Sequence, residues 1–175
     1  MSIIIEGPDG AGKTALVSQL LLDLPVLQIH ERFVEPQTGR KDPKTLFNRV
    51  YSDDLLGNRR VIYDRHPCIS EYIYSHVLDR PIADRFISLG AYEMQRRLYS
   101  STHVVFCLPP FDVVQSCVGA EDQMAGVEGN IDRLYRAYEI RAVQYMGPSH
   151  IYDWTENNAY QHLLSSMKGY VAHVA

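Results

Sequence analysis

Gly7-Pro8-Asp9-Gly10-Ala11-Gly12-Lys13-Thr14 fits the pattern GxxxxGK[ST] without a mismatch. Just before it stands Ile3-Ile4-Ile5, an unbroken apolar run suited to a strand buried on both faces. Just after it, Leu16, Val17, Leu20 and Leu21 recur at helical spacing. Strand, glycine-rich loop and helix in that order form a phosphate cradle. Glycines let the backbone curl so that successive N–H groups face phosphate oxygens. The helix that follows adds the positive end of its dipole. In such a loop Lys13 neutralises the β- and γ-phosphates of a nucleoside triphosphate, and the Thr14 hydroxyl ligates Mg²⁺. Gly7, Asp9, Gly10, Ala11, Gly12, Lys13 and Thr14 are therefore the expected nucleotide-binding residues.

Outward from this loop, strand-like and helix-like segments alternate, the pattern of an α/β domain with a parallel sheet. Val26-Leu27-Gln28-Ile29 reads as the second strand, Val61-Ile62-Tyr63 as the third, residues 103–108 as the fourth and Ile151-Tyr152 as the fifth. Pro109-Pro110 ends the fourth, because proline cannot continue a central ladder. Residues 31–43, polar and rich in charge, are expected to form a loop. A helix is predicted from Pro43, burying Leu46, Phe47, Val50, Leu55 and Leu56. Further helices are predicted at 69–78, from Pro81 with Ile82, Phe86, Leu89, Tyr92 and Leu98 on one stripe, and at 111–118. Two more are expected, one with Ile131, Leu134, Tyr135, Tyr138, Ala142 and Tyr145 on its buried face and one through Tyr160, Leu163, Leu164, Met167 and Val171. Residues 119–129 are expected to be a flexible, acidic connector.

The chain has 175 residues, 46% apolar and 22% charged, which suits one compact domain over residues 1–175. Lys plus Arg is 17 and Asp plus Glu is 21, for a net charge of −4, which argues against nonspecific coating of nucleic acid. No apolar stretch approaches the roughly 20 residues that cross a bilayer. Cys68, Cys107 and Cys117 are widely spaced and make no zinc pattern. Reduced thiols, no export signal and a cytoplasmic location are expected.

Asp64-Arg65 stands at the carboxyl end of the third strand, where open α/β sheets bind their ligands. A carboxylate there can hold Mg²⁺ or take a proton from an attacking hydroxyl, and the arginine can grip phosphate bidentately. Through these residues the chain resembles the thymidylate kinase group of P-loop kinases. The likeness rests on Gly7–Thr14 with Asp at its third position, on Asp64-Arg65 and on the order of elements. Asp64-Arg65-His66-Pro67-Cys68-Ile69-Ser70-Glu71 also resembles small bacteriophage kinases with a DRHP…SE signature. Some of those phosphorylate 5-hydroxymethyluracil in DNA, and the location would then be the host cytoplasm.

The resemblance implies a three-layer P-loop NTPase fold with a parallel sheet in the order 2-3-1-4-5. It implies ATP with Mg²⁺ as donor and a mobile lid, here residues 119–130. It places Asp9 near the acceptor, Asp64 near metal and acceptor, and Arg65 near phosphate. The lid sequence carries no arginine, so Arg133 in the next helix is the first choice for closing on the transferring phosphoryl group, ahead of Arg136 and Arg141. Glu31, Arg32, Glu35, Arg40 and His66 are the candidate acceptor residues, with Lys41, Lys44 and Arg49 nearby. Trp154, the single tryptophan, is the candidate neighbour of the adenine. The expected acceptor is a deoxynucleoside monophosphate or the hydroxymethyl group of 5-hydroxymethyldeoxyuridine in DNA. The alternative is a P-loop ATPase or switch without acceptor transfer. A second copy of the chain is a further candidate partner, as a homodimer.

Overall fold

The computed structural model describes residues 2–30, 60–82, 89–119 and 125–172. Its centre is β1 (Ser2–Glu6), buried at every position, as its isoleucine run requires. On one side β1 pairs in parallel with β3 (Val61–Asp64), which pairs with the short β2 (Gln28–Ile29). On the other side it pairs with β4 (Thr102–Cys107), which pairs with β5 (Ser149–Tyr152). The order is β2-β3-β1-β4-β5, parallel throughout. This is the expected α/β architecture, with the expected 2-3-1-4-5 order.

Helices flank the sheet. They are α1 (Lys13–Asp23), α2 (Pro67–Val77), α3 (Leu89–Ser101), α4 (Phe111–Cys117), α5 (Ile131–Gln144) and α6 (Ala159–Ala172). The core joins the sheet to their apolar stripes, including Leu16 and Leu20 of α1, Ile69 and Ile73 of α2, Leu134 and Tyr138 of α5, and Leu163 and Met167 of α6. Among the described residues no helix is long and apolar enough to cross a membrane.

Several boundaries differ from expectation. Helix α2 begins two residues early, because Pro67 takes its first turn and His66 caps it, Nδ1 accepting from Cys68 N at 3.2 Å. It ends at Val77. Asp79 adopts a left-handed φ of 51°, and Arg80 N donates to Ser75 O at 2.9 Å, which closes the helix with a Schellman-type bond. Pro81 and Ile82 are consequently not helical, contrary to the expected helix start there. Among the described side chains of α3 the buried ones are Met94 and Leu98, while Tyr92 is 62% exposed. Tyr92 stands two residues before Met94, roughly 200° around the helix.

The connector is tighter than expected in its described part. Val127 is buried, Glu128–Asn130 form a 3₁₀ turn, and Asn130 Nδ2 donates to Gly126 O at 2.9 Å. Residues 31–59, with the expected loop and the helix from Pro43, lie outside the described residues. So do Phe86 and positions 120–124 of the lid.

Candidate functional site

The loop after β1 is built as its glycines allow. Gly10 and Gly12 have φ near +80°, and a Cβ on Gly10 would stand 2.8 Å from Val114 O. Gly12 is the N-cap of α1, and no side chain caps it. The first helical bond runs from Leu16 N to Gly12 O, so the earlier amides of α1 have no intrahelical acceptor. That end of the helix is equipped for an anion.

Lys13 is buried, with Nζ donating back to Pro8 O inside the loop. Burial, then Arg65, push its pKa down to about 8, against Asp9, Cys107 and Asp64. The Lys13 ammonium therefore lacks a full complement of negative charge, which a phosphate group would supply. Thr14 is exposed in the first turn of α1. Asp64 ends β3 in register with Ile5, and its charge is felt at Lys13. A hydroxyl and a carboxylate beside a lysine-bearing loop are hard oxygen ligands suited to Mg²⁺. The residues present therefore fit a magnesium-bound triphosphate.

Arg65 follows Asp64 with a left-handed φ of 71°, uncommon for a non-glycine residue. Its backbone N donates to Ile5 O at 2.9 Å. Its guanidinium is ion-paired with Asp9 at 2.7 Å and lies over the Tyr74 ring, 4.8 Å from the centroid. Tyr74 OH donates to the other Asp9 oxygen at 2.6 Å. Burial opposes ionisation of Asp9, but Arg65, Lys13 and the Tyr74 hydroxyl outweigh it and hold the carboxyl below its usual range. The structure thus brings Asp9 and Arg65 together, with Lys13 and Asp64 close by.

Three residues of this group were not singled out as site residues from the sequence: Glu6, Tyr74 and Tyr138. Glu6 is fully buried; Oε1 accepts from His66 N at 2.7 Å and Oε2 from Tyr138 OH at 3.1 Å. Burial lifts its pKa to about 7 although His66 N–H, Arg65, Tyr138 and Lys13 all favour the carboxylate. A signal existed in the sequence, since a glutamate ends an apolar strand directly before Gly7.

Other expected site residues are placed differently. His66 is fully buried, caps α2 and meets Tyr63 edge-on at 5.4 Å. Its side chain is thus engaged in capping α2. Arg133 is exposed and donates to Asn130 at 3.0 Å, a contact within its own helix start rather than at the loop. Arg136 is exposed, and Arg141 donates to Tyr99 OH at 3.3 Å. Trp154 lies against the loop, where a Cβ on Gly12 would come 3.0 Å from its Nε1, and it is 43% exposed. Glu31, Arg32, Glu35, Arg40, Lys41, Lys44 and Arg49 lie outside the described residues.

No family model matches the chain, and no curated protein matches it. Solved structures do match. The YorR protein of Bacillus subtilis in complex with phosphorylated GDP is 17% identical with a TM-score of 0.67, over 98% of this chain and 96% of that one. The deoxyadenosine kinase of M. mycoides with bound dATP is 18% identical with a TM-score of 0.65, over 96% of this chain and 100% of that one. The same enzyme with bound dCTP is 16% identical with a TM-score of 0.62. At these identities the likeness shows the fold alone, a five-stranded parallel sheet flanked by helices shared with the YorR protein and the deoxyadenosine kinase.

Proposed function

We propose that this chain is one P-loop phosphotransferase domain that moves the γ-phosphate of ATP to a deoxypyrimidine-type acceptor. The observation that carries this is the meeting of a lysine-bearing phosphate loop with Asp64 and Arg65 at the carboxyl ends of β1 and β3. Ligands of open parallel sheets bind at that edge. Phosphoryl transfer asks a protein for positioning and for cations around a charge-spread transition state. Lys13 and Arg65 supply fixed positive charge there. Thr14 and Asp64 would hold Mg²⁺, which adds positive charge beside the phosphoryl oxygens when bound. Trp154 against Gly12 offers an aromatic face for the donor base.

Two acceptors fit this edge. A deoxynucleoside monophosphate is already an anionic nucleophile and needs only positioning. The hydroxymethyl group of 5-hydroxymethyldeoxyuridine in DNA is neutral and gains from a carboxylate base.

Incubation with γ-labelled ATP and each acceptor tests the assignment. Label is expected on one of them. Hydrolysis of ATP without transfer to either overturns it in favour of an ATPase or switch. In the same assay Asp64→Asn is expected to lower kcat by at least about a hundredfold while ATP affinity stays within a few-fold.

A further inference from the structure

We propose that Glu6 is a positioning residue for this transfer: anchored to Tyr138 of α5, its carboxylate holds the Arg65–His66 turn and so aims the Arg65 guanidinium at the mouth of the loop. The proposal rests on the kinase reading above and adds to it a residue that touches neither phosphate nor metal ligand directly.

The left-handed backbone of Arg65 persists only if its surroundings over-determine it. They do so from one strand. Ile5 O takes Arg65 N at 2.9 Å, and Glu6 Oε1 takes His66 N at 2.7 Å. Two consecutive residues of β1 thereby clamp two consecutive residues after β3. A buried carboxylate must have its lone pairs met, and Tyr138 OH meets the other oxygen at 3.1 Å. The chain of contacts then closes into a ring. Tyr138 meets Tyr74 edge-on at 6.3 Å, Tyr74 OH donates to Asp9, and Asp9 pairs with Arg65. Arg65 is held by its backbone at one end and by its guanidinium at the other.

The charged and titratable groups around Glu6 come from every neighbouring element. Among the described residues they include Arg65 and His66 after β3, Lys13 of α1, Tyr138 of α5, Tyr145 just past its end, and Cys107 of β4. Glu6 and Asp9 both place negative charge near Arg65. Because burial lifts its pKa to about 7, its charge can be varied within the working pH range.

Glu6→Gln keeps the size and still accepts from His66 N but carries no charge. It is expected to lower kcat by about tenfold to a hundredfold, the effect of a small misplacement, with KM for ATP nearly unchanged. The pH profile of kcat should lose its rise near pH 7. A folded variant with parental kcat and profile overturns the proposal. Should Glu6→Gln fail to fold, Tyr138→Phe carries the same comparison, with a smaller loss and a displaced profile expected and an unchanged one overturning. The Arg65 Nε–H resonance in ¹⁵N-labelled protein, assigned with Arg65→Lys, gives a reading independent of activity. It should shift and exchange faster in Glu6→Gln, and an unmoved signal overturns the proposal. A parent that transfers phosphate to no acceptor removes the kinase reading instead, and the Arg65 resonance still decides whether Glu6 holds the turn.

Discussion

Burial makes Lys13 a reluctant cation until phosphate arrives. Its pKa of about 8 reflects lost hydration first and repulsion from Arg65 second. A bound phosphate stabilises the protonated form and raises that value, so binding takes up a proton above pH 8. Triphosphate affinity should therefore be full below about pH 8 and weaken above it, approaching about tenfold per pH unit. Calorimetric titration between pH 7 and 9.5 checks this. Lys13→Ala should bind weakly with a flat profile, lose at least about a hundredfold in transfer, and melt no lower than the parent, since it deletes a buried charge. Lys13, Thr14, Asp64 and Arg65 were legible in the sequence because motif and strand end are local features. Glu6 and Tyr138 were not legible as a pair: the partners of Glu6 lie 60 and 132 residues along the chain, beyond any spacing pattern.

The loop glycines divide into two kinds once their neighbours are known. A Cβ on Gly7, at φ +146°, would stand 2.5 Å from the backbone carbonyl of Cys107, which β4 fixes in place. A Cβ on Gly12, at φ +81°, would meet the half-exposed Trp154 side chain, which can turn aside. Gly7→Ala should therefore destabilise the fold by several kcal/mol, on the order of 3 or more, as strain against fixed backbone does. Gly12→Ala should melt closer to the parent but change Trp154 fluorescence and weaken nucleotide binding. Thermal melts and a fluorescence titration separate the two, and equal melting losses would refute the distinction. Elements themselves were readable where apolar periodicity was long, as in α1, α5 and α6. They were misread where one residue set the boundary. The cap at His66, the left-handed Asp79 before Pro81 and the outward Tyr92 each depend on a local geometry that periodicity does not encode.

Strand order belongs to the whole molecule and did not follow from pattern. Five parallel strands of similar character can be ordered many ways. The family likeness indicated 2-3-1-4-5, and the β1 register with both β3 and β4 realises it. The assembled sheet holds a buried glutamate and a half-buried histidine whose effects on stability oppose each other. Glu6 is lifted from 4.5 to about 7, mainly by burial, so the native state holds a proton that the unfolded chain releases. Its contribution is complete below pH 4.5 and is lost as pH rises through 7. His103 of β4 lies edge-on to Tyr170 of α6 at 5.1 Å. Burial, then His150, lower its pKa from 6.5 to about 4, so stability there is lost as pH falls from 6.5 towards 4. Between about pH 4.5 and 6.5 the two slopes cancel in part, and the parent should melt at a nearly constant temperature. Glu6→Gln removes one slope and should melt increasingly higher as pH rises across that window. His103→Gln removes the other and should melt increasingly lower. For Glu6 the displacement corresponds to roughly 3 kcal/mol, which predicts a divergence between parent and variant on the order of 5–10 °C. Melting curves at half-unit pH steps measure it. Parallel curves for all three proteins would mean that neither group keeps its native environment in solution.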